Sequence, residues 1–288
     1  RKQATPELTV LEVGPDGHFA TLSEAVTYVR QNFQALTETD ARTIELKSGV
    51  TFNESVEIAS SGDSYFPRNV TIKSSGSPAA VIQGNGKQPA LTIQDVEAIS
   101  IDGVSIDGNG ATTAVRVKGY LPFSKIQGVK VQNFTQVGVL LENLNGGPGQ
   151  EFVVDGLRVT TSSPDVVGIR IQAELMANVK NAQVRNCRFV GAMKAGVEVS
   201  GFFWKTVVSD SIFSLCQSGI RFEGGLIDDV TLANNSFYKN TQAIAFSKLP
   251  QEGSKNLRMQ QMLFCQCQNG DVVVDVGELT GLVENLLS

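Results

Sequence analysis

Charge is scarce in this chain. Asp, Glu, Lys and Arg make up 18% of its 288 residues, the net charge is −5, and no run of Lys or Arg occurs. A clustered basic face is the usual footprint of nucleic-acid binding, so no nucleic-acid partner is expected. Histidine occurs once, at His18, and the four cysteines (Cys187, Cys216, Cys265, Cys267) include no CxxC pair. That leaves no metal-ligand pattern, and neither a metal nor a cofactor is expected. No apolar run approaches the roughly 18 residues that a membrane span requires, so direct membrane insertion is not expected. No leader is visible, and the chain opens at Arg1 rather than Met, which reads as a fragment of a longer protein. Oligomeric state leaves no mark in the sequence.

What is abundant is apolar residues, at 41%, and Gly, at 28 residues. With Asn, Ser, Thr and Val they suit short strands and tight corners better than helices. The decisive signal is a repeat. Val184, Val208, Leu232 and Met259 begin four successive frames at spacings of 24, 24 and 27. Five residues on stands a phenylalanine each time: Phe189, Phe213, Phe237 and Phe264. Six or seven residues later comes a small residue: Gly196, Gly219, Ala243 and Gly270. Repeats at a fixed period mark a solenoid, whose units bury their apolar faces only against one another. About 24 residues with two or three strands per coil predicts a right-handed parallel β-helix, all-β and single-stranded, occupying residues 1–288 as one domain. LxxLxLxxN is absent and a propeller blade is longer, so the other repeat folds are set aside.

Along the chain, LTVLEV (8–13) reads as a strand. Thr21 and Glu24 then form a capping box, and Leu22, Ala25, Val26 and Val29 make a helical stripe. Residues 21–36 are assigned as an N-terminal cap helix covering the open end of the solenoid. Coils are expected over 43–276, with 277–288 as a tail or C-terminal cap. Segments 142–151 and 172–178 lengthen their coils, and in solenoids such insertions cluster on one face. Cys216 and Cys267 fall in one column two coils apart, near ~10 Å at the strand spacing. That exceeds disulfide reach, so free, core-filling thiols are expected.

The segments VGPDGHFATLSEAV, ELKSGVTFNESVEI and PRNVTIKSSG resemble the start of pectin-esterase-like β-helices, and ANNSFYKNTQAIAF resembles the parallel β-helix repeat of carbohydrate-active and cell-surface proteins. The resemblance spans nearly the whole chain and is specific for fold. It implies a pectin-lyase-like setting that is extracytoplasmic or at the cell surface, and it extends to β-helix appendages of bacterial signalling proteins, some kinase-related. The catalytic motifs of these families have no counterpart. GFxAxD and DTL-type segments are missing. So are the NTD, GHG and RIK of polygalacturonases and the RxPxxR of pectate lyases. Asp228-Asp229 stands at a turn, and His18 lies in the cap.

Two constellations remain. Outward residues of successive coils form ladders, and two of these hold Arg116, Leu140, Arg170, Glu198, Arg221 and Ala245, then Lys118, Glu142, Gln172, Ser200, Glu223 and Ser247. Glu198 and Glu223, with Arg170 and Arg221, are the candidate catalytic residues, because paired carboxylates about 5–10 Å apart serve glycoside hydrolysis and arginine forks hold sugar carboxylates. A ladder of cross-strand ion pairs would look the same. Beside this face stand aromatic loops, with Tyr120 and Phe123 in one coil and Phe202, Phe203 and Trp204 in another. Tyr120, Phe202, Phe203 and Trp204 are the candidate carbohydrate-binding residues, with corner shielding as the alternative. Asp102, Asp107, Asn109 and Asp155 read as turn chemistry rather than a calcium site, and Asn234, Asn235 and Asn240 as backbone-bonding corner residues. The resulting expectation is a non-catalytic carbohydrate- or cell-wall-binding module of a larger surface or signalling protein. The alternatives are a polysaccharide lyase or hydrolase with an unfamiliar site, and a structural or protein-interaction scaffold.

Overall fold

A computed structural model describes residues 8–32, 41–60, 65–146, 149–173, 179–250, 254–274 and 283–284. The chain winds into a right-handed parallel β-helix of about 8 turns, with one short helix near its N-terminus. Each coil contributes strands to three faces. Face one runs from Val10–Val13 through Arg42–Leu46, Lys125–Gln127 and Ala182–Arg185 to Lys255–Gln260. Face two is a nine-stranded sheet from Thr51–Asn53 to Leu263–Cys265. Face three runs from Val56–Ala59 through Thr113–Tyr120, Val167–Gln172 and Ala195–Trp204 to Val272–Val274. Every pairing is parallel and joins one coil to the next.

The corners follow from residue type. Turning from face three to face one, the chain passes through left-handed backbone at Asn69, Ala98, Phe123, Asn181, Lys205, Asp229 and Asn256. Between faces one and two the same conformation falls on Gly103, Gly128, Gly156, Asn186, Asp210, Asn234 and Gln261. Gly, Asn and Asp visit this region at least cost. Asp229 sits inside a continuous strand, Ser218–Ala233, which pairs with the preceding coil on face three as far as Asp228 and again on face one from Thr231.

Inside, the repeat columns are real ladders. Val184, Val208, Leu232 and Met259 are partners in register, and so are Phe189, Phe213, Phe237 and Phe264. The rings of the latter stack at centroid distances of 5.1, 5.1 and 5.5 Å. The small-residue column exists because of those rings. A Cβ on Gly168, Gly196 or Gly219 would lie 2.6, 2.4 and 2.4 Å from the ring of Phe189, Phe213 and Phe237, each in the following coil. In the last coil the frame slips. Val272, not Asp271, pairs with Ile244, so Asp271 takes the column position and Gly270 stands one residue before it at φ 115°.

The helix spans Leu22–Asn32 and buries Leu22, Ala25, Val26 and Val29. The expected end at residue 36 lies outside the described residues. Its capping box forms through Glu24 N–H to Thr21 Oγ1 at 3.1 Å and Thr21 N–H to Glu24 Oε2 at 3.4 Å. Glu54, from the coil beneath, accepts bonds from the Leu22 and Ser23 amides at 2.7 and 2.9 Å. A carboxylate therefore sits at the positive end of the helix and ties the cap to the solenoid.

Two buried asparagines close the polar accounts of the corners. Asn235 receives the Ser211 amide and donates to Val208 O, and Asn240 receives the Cys216 amide and donates to Phe213 O. Cys187 and Cys216 are buried and unbridged, and burial pushes both thiols up to about 12. Cys265 and Cys267 are half-buried and also unbridged, and Cys267 is likewise raised, chiefly by burial. Because the thiolate is the reactive form, an aromatic disulfide reagent at neutral pH is expected to titrate two thiols in the native protein and all four after unfolding. Rapid reaction of all four without unfolding would contradict this core.

Candidate functional site

The outward residues of face three meet as the ladder pattern requires. Arg116, Leu140, Arg170, Glu198, Arg221 and Ala245 are successive partners. The second column holds from Lys118 through Glu142 and Gln172 to Ser200. It then slips at an irregularity between Phe222 and Glu223, so Glu223 pairs with Lys248 rather than Ser247.

Four expected residues come together. Arg170 Nε donates to Glu198 Oε1 at 2.7 Å, and Arg221 Nε donates to Glu223 Oε1. A fifth residue, Lys194, joins them. Its Nζ stands 2.7 Å from Glu198 Oε2 and 3.4 Å from Glu223 Oε1, so the two carboxylates share one ammonium. The Glu198 contact is an ion pair outside hydrogen-bond geometry, which gives that buried oxygen charge compensation without an aligned donor. In–out counting does not find Lys194, because Ala195 through Val199 are all buried and alternation is suspended there. Burial works most strongly on Glu223 and raises its pKa. The Arg221 and Ser247 hydrogen bonds and the Arg221 and Lys194 charges outweigh it, holding the carboxyl below its ordinary value. Two coils before Arg170, Arg116 grips the buried Glu142 through Nε at 2.9 Å and Nη2 at 2.6 Å.

The aromatics stand at the edge where face three turns into face one. Beyond an irregularity between Val199 and Gly201, the strand continues with Phe202, Phe203 and Trp204 opposite Leu226, Ile227 and Asp228. Alternation sends Phe203 inward, where it is 2% exposed within the core, so its ring offers no face to a ligand. Phe202 is half-buried against the core. Trp204 is 38% exposed, with Lys205 Nζ 5.1 Å from its ring centroid. Tyr120 and Phe123 project from the same edge three coils earlier and are exposed, which at the strand spacing is about 14 Å away. Phe123 holds φ 58°, a region bulky residues rarely occupy. The first lengthened segment, 142–151, begins inside the face-three strand Val137–Asn145, and residues 147–148 and 174–178 of the two segments lie outside the described residues.

No family model matches this chain, and no curated protein matches it by sequence. Solved structures do match in fold. An alginate lyase from Paenibacillus sp. str. FPU-7 aligns over 96% of this chain and 99% of its own at 16% identity, with a TM-score of 0.61. A pectin methylesterase from carrot aligns over 94% and 90% at 11% identity, TM-score 0.60. A polygalacturonase from Erwinia carotovora ssp. carotovora aligns over 99% of both chains at 13% identity, TM-score 0.56. Identities this low establish a shared parallel β-helix.

The remaining acidic candidates are dispersed. Asp102 and Asp155 lie on face one with Gln127 between them, while Asp107 lies on face two. Asp155 is held by Arg185 at 3.0 Å, and Asp107 accepts from Asn109, Gln132 and Asn133. Among the described residues no three His, Cys, Asp or Glu side chains converge as a metal site. His18 accepts the Glu12 amide through Nδ1 at 2.9 Å, a turn-stabilising role in the cap. No helix among the described residues is long and apolar enough to cross a membrane.

Proposed function

We propose that this β-helix is a non-catalytic polysaccharide-binding module, acting outside the cytoplasm as part of a larger surface or signalling protein. The observation that carries the reading is the edge bearing Tyr120, Phe123 and Trp204, exposed beside a flat, charged face. Exposed rings suit the apolar faces of sugars, and Tyr120, Phe123 and Trp204 gather along one edge of the solenoid. The fold neighbours are named for alginate, pectin and polygalacturonate chemistry, which supports a polysaccharide as the ligand class.

The ion-pair cluster favours binding over cleavage. A general acid needs a carboxyl whose pKa is raised towards the working pH, yet Glu223 is held low. The space between Glu198 and Glu223, where a glycosidase would admit sugar or water, is occupied by the Lys194 ammonium.

Trp204 is the single tryptophan, so its fluorescence reports one position. Titration with acidic and neutral polysaccharides, assayed in parallel for new reducing ends and unsaturated products, is expected to give a saturable shift without cleavage. Trp204→Ala should weaken binding about 10-fold, the effect of removing one aromatic anchor. Cleavage lost in Glu198→Gln or Glu223→Gln would instead establish a lyase or hydrolase. No binding by any polysaccharide would leave the scaffold reading.

A further inference from the structure

On faces one and three, stacked charges of opposite sign meet. Lys73 pairs with Glu45, Arg185 with Asp155, Arg116 with Glu142 and Arg170 with Glu198. Face two differs. Lys130, Arg158 and Arg188 stand directly opposite one another on three successive coils, about 4.8 Å apart along the axis. All three are exposed, and none makes a hydrogen bond or ion pair among the described residues. The one acid on this face, Asp107, is buried and already accepts three hydrogen bonds.

Like charges directly opposite in a sheet are destabilising, and this chain carries more acids than bases, so carboxylate partners were available to it. Lysines and arginines do protect exposed sheet edges from mispairing. These strands, however, are the central three of the nine-stranded sheet. Neither solubility nor edge protection accounts for three unpaired cations in one line at the middle of a flat face.

We propose that face two carries a second binding site, a strip on which a linear acidic polysaccharide lies along the solenoid axis with its carboxylates on Lys130, Arg158 and Arg188. The guanidinium forks of Arg158 and Arg188 match carboxylates bidentately. Thr160, exposed two residues beyond Arg158 on the same side of its strand, offers a hydroxyl to the sugar hydroxyls. A single-stranded nucleic acid fits less well, because stacking platforms for bases are aromatic and no aromatic side chain points outward from these three strands. Duplex DNA, with one charge per ~1.7 Å, would be repelled by the net acidity around so narrow a strip. The proposal takes its polymer class from the reading above but uses a different face.

The test is a labelled oligogalacturonate titrated into wild type, Lys130→Gln/Arg158→Gln/Arg188→Gln and Trp204→Ala across a range of salt concentrations. The triple variant should bind at least 10-fold more weakly at low salt, with the log–log salt slope reduced by about 2, the value for three contacts on a single-stranded polyanion. Its denaturation midpoint should equal or exceed that of wild type, because repulsion has been removed. Unchanged affinity in the triple variant overturns the strip, and if Trp204→Ala then abolishes binding, the edge site stands without it. Loss in the triple variant with Trp204→Ala unaffected establishes the strip and counts against the edge. A single-stranded oligonucleotide that binds as tightly, with the same loss in the triple variant, overturns the polysaccharide assignment.

Discussion

Gly219→Ala is expected to lower the unfolding free energy by about 3 kcal/mol, at the upper end of the usual cost of overfilling a packed core. The added methyl would lie 2.4 and 2.5 Å from Cδ1 and Cε1 of Phe237 and 2.7 Å from the Ala243 carbonyl oxygen. The ring cannot retreat along the axis, because Phe213 and Phe264 stack on either side of it at 5.1 and 5.5 Å. Denaturant titration measures the loss, and two companions identify its cause. Phe237→Leu added to Gly219→Ala should cost less than the sum of the single changes by at least about 1 kcal/mol, the coupling expected of residues in contact. Ala243→Gly should cost under about 1 kcal/mol, since Phe264 there tilts by 18° and already tolerates a methyl. A Gly219→Ala protein as stable as its parent would mean that the stack gives way and that the small-residue column is not sterically required.

The second large effect is expected at Glu198. Glu198→Gln keeps the shape of the side chain but removes the charge that Arg170 and Lys194 share. Breaking a fully buried pair costs about 3–5 kcal/mol. Glu198 is buried, but Arg170 and Lys194 are 26% and 33% exposed, so water relieves part of the stranded charge and about 2 kcal/mol is expected. Glu223 sets the pH dependence. Its folded pKa lies below the ordinary 4.5, so its contribution is present above that value and fades as pH falls through the depressed one. Arg221→Gln removes the largest of the influences that depress it, and the acid limb of the stability profile should become shallower. An unchanged limb would show that the Arg221–Glu223 pair contributes nothing to folding.

Much of this architecture was legible because parallel stacking turns sequence spacing into contact. The column from Val184 to Met259, the phenylalanine stack, and the ladder from Arg116 to Ala245 all follow from counting residues. Counting fails where the backbone departs from strict alternation. The irregularities beside Gly201 and Glu223 shift partners by one, so Glu223 faces Lys248. Consecutive buried residues after Lys194 hide its approach to Glu198. Phe203, grouped with its neighbours as a sugar-binding ring, points inward, since alternation resumes beyond the irregularity and gives the outside to Trp204. The basic strip was hidden by loop length. Lys130, Arg158 and Arg188 are 28 and 30 residues apart, and only the paired strands show that insertions of different size leave them on one line. The need for glycine at the small-residue column was also out of reach, because each ring lies over the glycine of the preceding coil rather than of its own.

The equal spacing of Phe189, Phe213 and Phe237, with like corners between them, has a genetic consequence. A duplicated stretch of 24 codons would rejoin strand to strand in the same register and place one more ring in the stack. The module would lengthen by about 4.8 Å and leave the cap helix untouched. This region is thus where a lineage can adjust length by copying, because the coils before it, spaced 28 and 30 residues apart at Lys130, Arg158 and Arg188, offer no uniform repeat to duplicate.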